Sequence, residues 1–312
     1  MATGGRELFP ADLGLQVRMV IALLLGALFT AALLGAVVWL AVSVEDGWQP
    51  ALFIVVIAAA GFVTSREAAD RMRYRASFDP DKHDLAGFTR EEAVRNVEGH
   101  LVRLATLADV PLPRADLFWA DAPLCWTTVG LTGRPRVHVT TTLVQRLSDD
   151  QLAAVLAHEL THIANGDARV MTFVAGPASW LVAGLRDMYE EGGRAMYAAI
   201  GLALLLLPVL LPAALTGRIA SRHRELAADR GGALLTGSPS ALASALLELS
   251  GRLDRIPRRD LRVAGAGDLF YVLPTREAHG IRRLWATHPP LGRRVVQLER
   301  MEQALHRARP VL

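Results

Sequence analysis

Four stretches of this chain run without a charged residue for long enough to constrain everything around them. Met19–Val44 covers 26 residues, Gly47–Ser65 covers 19, Val170–Leu185 covers 16 and Ala195–Gly217 covers 23. A helix rises about 1.5 Å per residue and a bilayer core is about 30 Å thick, so about 20 apolar residues cross it. The first, second and fourth runs meet that length. The third reaches only about 24 Å, and with Gly176, Pro177 and Gly184 inside it, it reads as short, kinked or re-entrant. The first run is too long for a signal-peptide core and the second follows at once, so cleavage is not expected. Hydrophobic residues make up 52% of 312, which fits a chain that is part membrane and part soluble.

Charge beside these runs sets an orientation. The connection Glu45–Gln49 has two acidic residues and no arginine or lysine, whereas Arg66, Arg71, Arg73 and Arg75 follow the second run and Arg218, Arg222 and Arg224 follow the fourth. Basic residues stay on the cytoplasmic side. The expected organisation is therefore two transmembrane helices in 1–65, a cytoplasmic block in 66–168, two further membrane segments in 169–217 and a second cytoplasmic block in 218–312. That is a multi-pass protein of the inner (plasma) membrane. The arginine clusters hug span ends and no nucleic-acid motif accompanies them, so the lipid bilayer is the expected partner and nucleic acid is not. A single cysteine, Cys125, excludes an internal disulfide and agrees with a reducing compartment.

Within the first soluble block, His158-Glu159-Leu160-Thr161-His162 carries most of a hydrolytic zinc site in five residues. Helix positions i and i+4 share a face, so both imidazoles can reach one ion. Glu159 stands where it can take a proton from the attacking water. Ser148 and Gln151 make a capping box, Asp149 and Asp150 fill the first turn, and Asn165-Gly166 is a stop, so the pentapeptide is expected on a helix. A catalytic zinc takes three protein ligands as a rule. Downstream, Arg222–Arg230 reads as helix, with Glu225 and Asp229 on one face. Glu225 can supply the third ligand and Asp229 can accept the second N–H of a ligating histidine. Read alone, that stretch is better taken as a solvated charged face with pairs such as Arg222 and Glu225; the His158–His162 helix reverses that preference.

Three motifs in order, His158–Asp167, Ser221–Asp229 and Thr287-His288-Pro289-Pro290, resemble the membrane-bound metalloproteases of the HtpX/Ste24 type, peptidase family M48. The resemblance implies a mainly α-helical, multi-span membrane protein with a small β element and a zincin-like (gluzincin) metalloprotease domain. It implies one Zn2+ held by His158, His162 and Glu225, with Glu159 as catalytic base. It implies as well that the substrates are membrane-protein or unfolded polypeptides, in a quality-control role. The sequence departs from the family at Leu124-Cys125-Trp126, where an Asn-Ala-aromatic run on a strand is usual; that touches substrate positioning and not the metal.

The rest of the soluble part frames this site. Thr89 and Glu92 cap an amphipathic helix that ends at Val110-Pro111. Leu117–Trp119 and Arg136–Thr142 read as a strand pair joined by turns around Gly130–Pro135, whose edge could take an extended peptide as a further strand. Helices are expected from Ser238-Pro239 to about Leu253 and over Leu291–His306. His288, in a rigid Pro-bounded turn, is a candidate donor to the oxyanion of peptide hydrolysis or a structural histidine. The remaining histidines, His83, His100, His138, His223, His279 and His306, read as surface residues.

The reading is a zinc metalloendopeptidase with a cytoplasmic active site. It cuts cytoplasmic loops or juxtamembrane segments, because His162 precedes the third apolar run, and Glu225 follows the fourth, by only eight residues. One alternative is a membrane signalling protein whose protease domain cleaves a repressor, which would call for a larger external domain than Glu45–Gln49 and Arg186–Arg194. The other is a non-catalytic scaffold with a protease fold, which would be expected to have lost a ligand or the base.

Overall fold

The computed structural model describes residues 89–118, 123–129, 134–167, 192–253 and 288–308, with Val17, Val20, Ile21, Leu24, Leu28 and Tyr189. Side chains at 201–217 and 251–253, and at a few other helical positions, lie outside that description, as do the expected runs 47–65 and 170–185 and nearly all of 19–44. The described parts of 1–15, 76–169 and 221–312 form one compact unit, and those of 16–75 and 170–220 another.

The first unit begins with α1 (Arg90–Ala108), started by the Thr89–Glu92 capping box and ended by Asp109 in the left-handed region at φ 52°. Three short strands follow: β1 (Arg114–Phe118), β2 (Cys125–Thr128) and β3 (Arg136–Thr140). Thr140 stops β3 because its side chain caps the short helix α2 (Thr141–Arg146). Then come α3 (Asp149–Ala164), the C-terminal part of the 44-residue α4 (Gly193–Thr236), α5 (Pro239–Leu253) and α6 (Leu291–Ala308). Gly237, at φ 67°, ends α4, and Pro239 opens α5 at the first helical position, where its missing N–H costs nothing.

The sheet is not the simple pair expected from the sequence. β3 lies in the middle, parallel to β1 and antiparallel to β2, in the order β1-β3-β2. β2 is not legible from its own pattern, because four residues are too few to show alternation; only the family resemblance points to a strand at Leu124–Trp126. Register puts Ala115, Val137 and Thr127 in one cross-strand row and Leu117, Val139 and Cys125 in another, both on the core face. The opposite face carries Asp116, His138 and Trp126, with the Trp126 ring stacked on His138 at 5.0 Å.

α3 is the centre of this unit. Every residue from Leu152 to His162 is buried, so the helix is enclosed all round rather than presenting one apolar stripe. α1 contributes Val97, Leu101 and Leu104 to the same core, α5 contributes Leu242, Leu246 and Leu249, and α6 contributes Leu298. α4 packs tightly on α3 at Gly232, where an added Cβ would stand 2.9 Å from the His158 backbone nitrogen. Among the described residues, no helix is long and apolar enough to cross a membrane.

Candidate metal centre

Two helices deliver the ligand atoms. α3 starts at its Ser148–Gln151 capping box and puts His158 and His162 on one face, one turn apart. Their Nε2 atoms stand 3.2 Å apart. From α4, Glu225 places Oε1 3.5 Å from His162 Nε2 and Oε2 3.7 Å from His158 Nε2. These three residues, all buried, are the group among the described residues whose ligand atoms converge tightly enough to hold one ion. Two nitrogens bound at about 2.0–2.1 Å and separated as these are would subtend an angle of about 100° at the ion, close to tetrahedral. Two imidazoles and one carboxylate form a donor set suited to zinc, and the geometry fits it.

Each histidine is backed by a carboxylate, and each carboxylate by an arginine. His158 Nδ1 lies 3.0 Å from Asp229 Oδ1, and Arg294 closes on Asp229 with Nε and Nη2 at 2.7 and 2.6 Å. His162 Nδ1 lies 2.7 Å from Asp167 Oδ2, and Arg224 Nε lies 3.1 Å from Asp167 Oδ1. The aspartates thus face the Nδ1 side of each ring, which leaves Nε2 as the atom turned toward the candidate metal position. Burial alone would raise both aspartates, yet Arg294 and Arg224 outweigh it and hold them below the ordinary carboxylate value. Burial likewise opposes ionised Glu225, but His288 and His162 bring it well below the usual range.

Glu159 is also buried, beside His158 on α3. Its Oε2 accepts a hydrogen bond from Thr127 Oγ1 on β2 at 2.7 Å, and its Oε1 has no hydrogen-bond partner. Burial raises its carboxyl above the ordinary value, against the pull of His162, His158 and Thr127. His288 is buried, with Nδ1 3.2 Å from Glu225 Oε2. The residues 158, 159, 162, 225, 229 and 288 singled out in the sequence therefore come together in one buried cluster. Glu225 and Asp229 are not on a solvated face.

The model for peptidase family M48 matches residues 92–302, two thirds of the chain and all of the cluster just described. The chain belongs to peptidase family M48. It is a metalloprotease. A relative named Protease HtpX homolog from Moorella thermoacetica is 41% identical over 220 residues, covering 66% of this chain and 72% of that one. Protease HtpX homolog 1 from Streptomyces coelicolor is 36% identical over 313 residues, covering 96% and 97%. Protease HtpX homolog 2 from Methanosarcina mazei is 32% identical over 304 residues, covering 94% and 97%. The crystal structure of S. mikatae Ste24p shares the fold, with a TM-score of 0.52 at 19% identity over 91% of this chain and 67% of that one.

Four residues of this M48 site escaped the sequence reading. Asp167 lies in the first motif, and a carboxylate five residues beyond a candidate ligand histidine is a usable signal. Arg224 follows the fourth apolar run beside Arg218 and Arg222, yet it is buried and pairs with Asp167. Arg294 lies 65 residues from Asp229, and no local spacing links them. Thr127 sits on the strand that was not read. Two histidines taken for surface residues are largely covered: His100 bonds Asp149 at 2.9 Å, and His138 bonds Thr128 at 2.8 Å.

Proposed function

We propose that this metalloprotease uses one zinc ion, held by His158, His162 and Glu225, to hydrolyse peptide bonds in cytoplasmic loops or juxtamembrane segments of membrane proteins, chiefly misfolded ones. The observation that carries the reading is the convergence of three buried ligand residues, with one ligand atom from each lying within 4.8 Å of the others, beside a glutamate with one oxygen unengaged. Zinc, when bound, supplies Lewis acidity to the attacking water and to the scissile carbonyl. Glu159 takes the proton of that water on Oε1 and returns it to the leaving amine. Asp229 and Asp167 face the Nδ1 side of the two rings and so direct Nε2 to the ion, and Arg294 and Arg224 keep those aspartates ionised. His288, whose Nδ1 lies 3.2 Å from Glu225 Oε2, is the candidate donor to the oxygen that becomes negative as the carbonyl is attacked.

β2 is an edge strand of the described sheet and packs on α3 beside Glu159. An extended peptide added to it would pass the metal centre, a mode that suits unfolded chain and not compact domains. The membrane part of the reading is supported by the uncharged runs and by the exposure of the apolar residues Val17, Val20, Ile21, Leu24 and Leu28. Arginines after Ser65 and Gly217 support a plasma-membrane orientation with the site in the cytoplasm.

The test is metal content and proteolysis in one preparation. The purified protein is expected to hold about one zinc per chain, and Glu159→Gln to keep the metal while losing cleavage of an unfolded polypeptide such as casein. Proteolysis by a clean Glu159→Gln preparation would overturn the mechanism. Mapping cuts in a membrane substrate whose cytoplasmic loop is tethered at increasing distance from the bilayer tests the location. Cuts inside transmembrane helices, or in distant folded domains with undiminished efficiency, would refute it.

A further inference from the structure

We propose that Thr127 is a positioning residue for hydrolysis, its hydroxyl holding Glu159 so that one carboxylate oxygen is engaged and the other is left for the proton. The inference rests on reading Glu159 as the general base. The bond is 2.7 Å long and buried, and it joins two elements, β2 and α3, separated by 32 residues in sequence. Both side chains are almost fully covered, at 5% exposure for Thr127 and 1% for Glu159. Water is thus no ready substitute, and a hydroxyl-to-carboxylate bond in such surroundings is among the stronger kinds.

Position and residue type both matter. Thr127 pairs in register with Val137, which is fully buried, so the strand alternation turns its side chain to the core and toward α3. Threonine is branched at Cβ and has few rotamers, so its hydroxyl direction follows the strand backbone. Glutamate has three side-chain torsions, and a carboxylate free to rotate would spend part of its time out of reach of the water. Cys125, two residues earlier on the same face, offers only a weak donor. Trp126 and Thr128 project from the other face, where Thr128 bonds His138. Along β2, only position 127 combines the facing, the donor strength and the stiffness to orient Glu159. Since β2 is also the edge offered to a peptide, one strand registers the base and the substrate together. That holds independently of the departure at Leu124-Cys125-Trp126.

The experiment uses the full chain in detergent, loaded with zinc, with fluorophore-quenched casein as substrate. Thr127→Val, Thr127→Ala, Thr127→Ser and Glu159→Gln are compared for zinc content, kcat and KM. Thr127→Val keeps the shape and the strand, so zinc content and KM are expected to stay within about twofold while kcat falls about 10- to 100-fold, the loss of one charge-assisted hydrogen bond. Thr127→Ala should lose kcat similarly, and Thr127→Ser should recover it to within about threefold. The proposal is overturned if Thr127→Val retains full kcat while Glu159→Gln is inactive, a result that leaves the base assignment standing. It is overturned also if Ser is as impaired as Val, if KM rises in place of a fall in kcat, or if Val and Ala both lose zinc. Activity in Glu159→Gln would remove the base assignment and this inference with it.

Discussion

Arg294 grips Asp229 with two nitrogens at 2.7 and 2.6 Å, and the gripped carboxylate stands 3.0 Å from His158 Nδ1. All three side chains are closed to solvent. His158 is thus flanked from α4 and α6 at once, by Asp229 at its Nδ1 and by Arg294, whose Nη1 also lies 3.7 Å from Glu225 Oε2. A buried carboxylate without its arginine would be an uncompensated charge, so the arrangement stands or falls as a unit.

The first prediction concerns that unit. Arg294→Lys keeps the charge but cannot make the forked contact, and Asp229→Asn removes the acceptor strength that His158 relies on. Each is expected to weaken zinc binding about 10- to 100-fold, read by competition with a chromophoric chelator. Unchanged affinity in both variants would show that His158 needs no such support.

The second concerns Arg224. A basic residue seven positions after the fourth apolar run is easily assigned to lipid headgroups, but this one is buried against Asp167. Arg224→Gln should lower zinc affinity and thermal stability together and leave membrane association as it was. Loss of membrane association with normal zinc affinity would return Arg224 to the headgroups.

The third concerns a close approach. A Cβ at Gly232 would meet the His158 backbone nitrogen at 2.9 Å and its Cα at 3.1 Å, so α4 must move away from α3. Glu225 lies two helical turns before Gly232 on α4 and moves with it. Gly232→Ala is expected to lower zinc affinity more than about tenfold despite alanine's better helix propensity. A variant with raised Tm and normal zinc affinity would mean that the helices yield without disturbing the ligands.

Local chemistry explains why some of this site was legible in the sequence. His158, Glu159 and His162 are visible because the helix period alone brings them together, and the ends of α1, α3 and α5 are visible because capping residues and Pro239 act within one turn. Glu225 and Asp229 show the same period, but choosing between ligand and solvated face needed the first motif. The Asp229–Arg294, Asp167–Arg224 and Glu159–Thr127 contacts were out of reach. Each depends on which helix or strand packs on which, and composition does not distinguish an arginine that pairs in the core from one at a membrane edge. β2 escaped for a related reason: pairing with β3, not its own pattern, makes it a strand.

The last prediction concerns pH. Burial alone would push His162 down, but its bonds to Asp167 and Glu225 outweigh this and raise it from 6.5 to about 10. After chelation of the metal, His162 therefore keeps a proton in the folded protein through a range where the unfolded chain has released it. The folded state binds more protons, so stability falls as pH rises. The contribution is complete below about 6.5 and is lost as pH approaches the folded value. Zinc binding has the opposite dependence, because the ion must displace that proton and does so more easily as pH rises. Chelated protein should thus show a Tm that declines from pH 6.5 to 9 relative to His162→Gln, while zinc affinity increases over the same window. Titration of zinc at pH 7.5 in buffers of differing ionisation enthalpy should register release of about one proton per ion. If the chelated protein instead gains stability over His162→Gln as pH rises, the His162–Asp167–Glu225 cluster does not hold the proton that its geometry assigns to it.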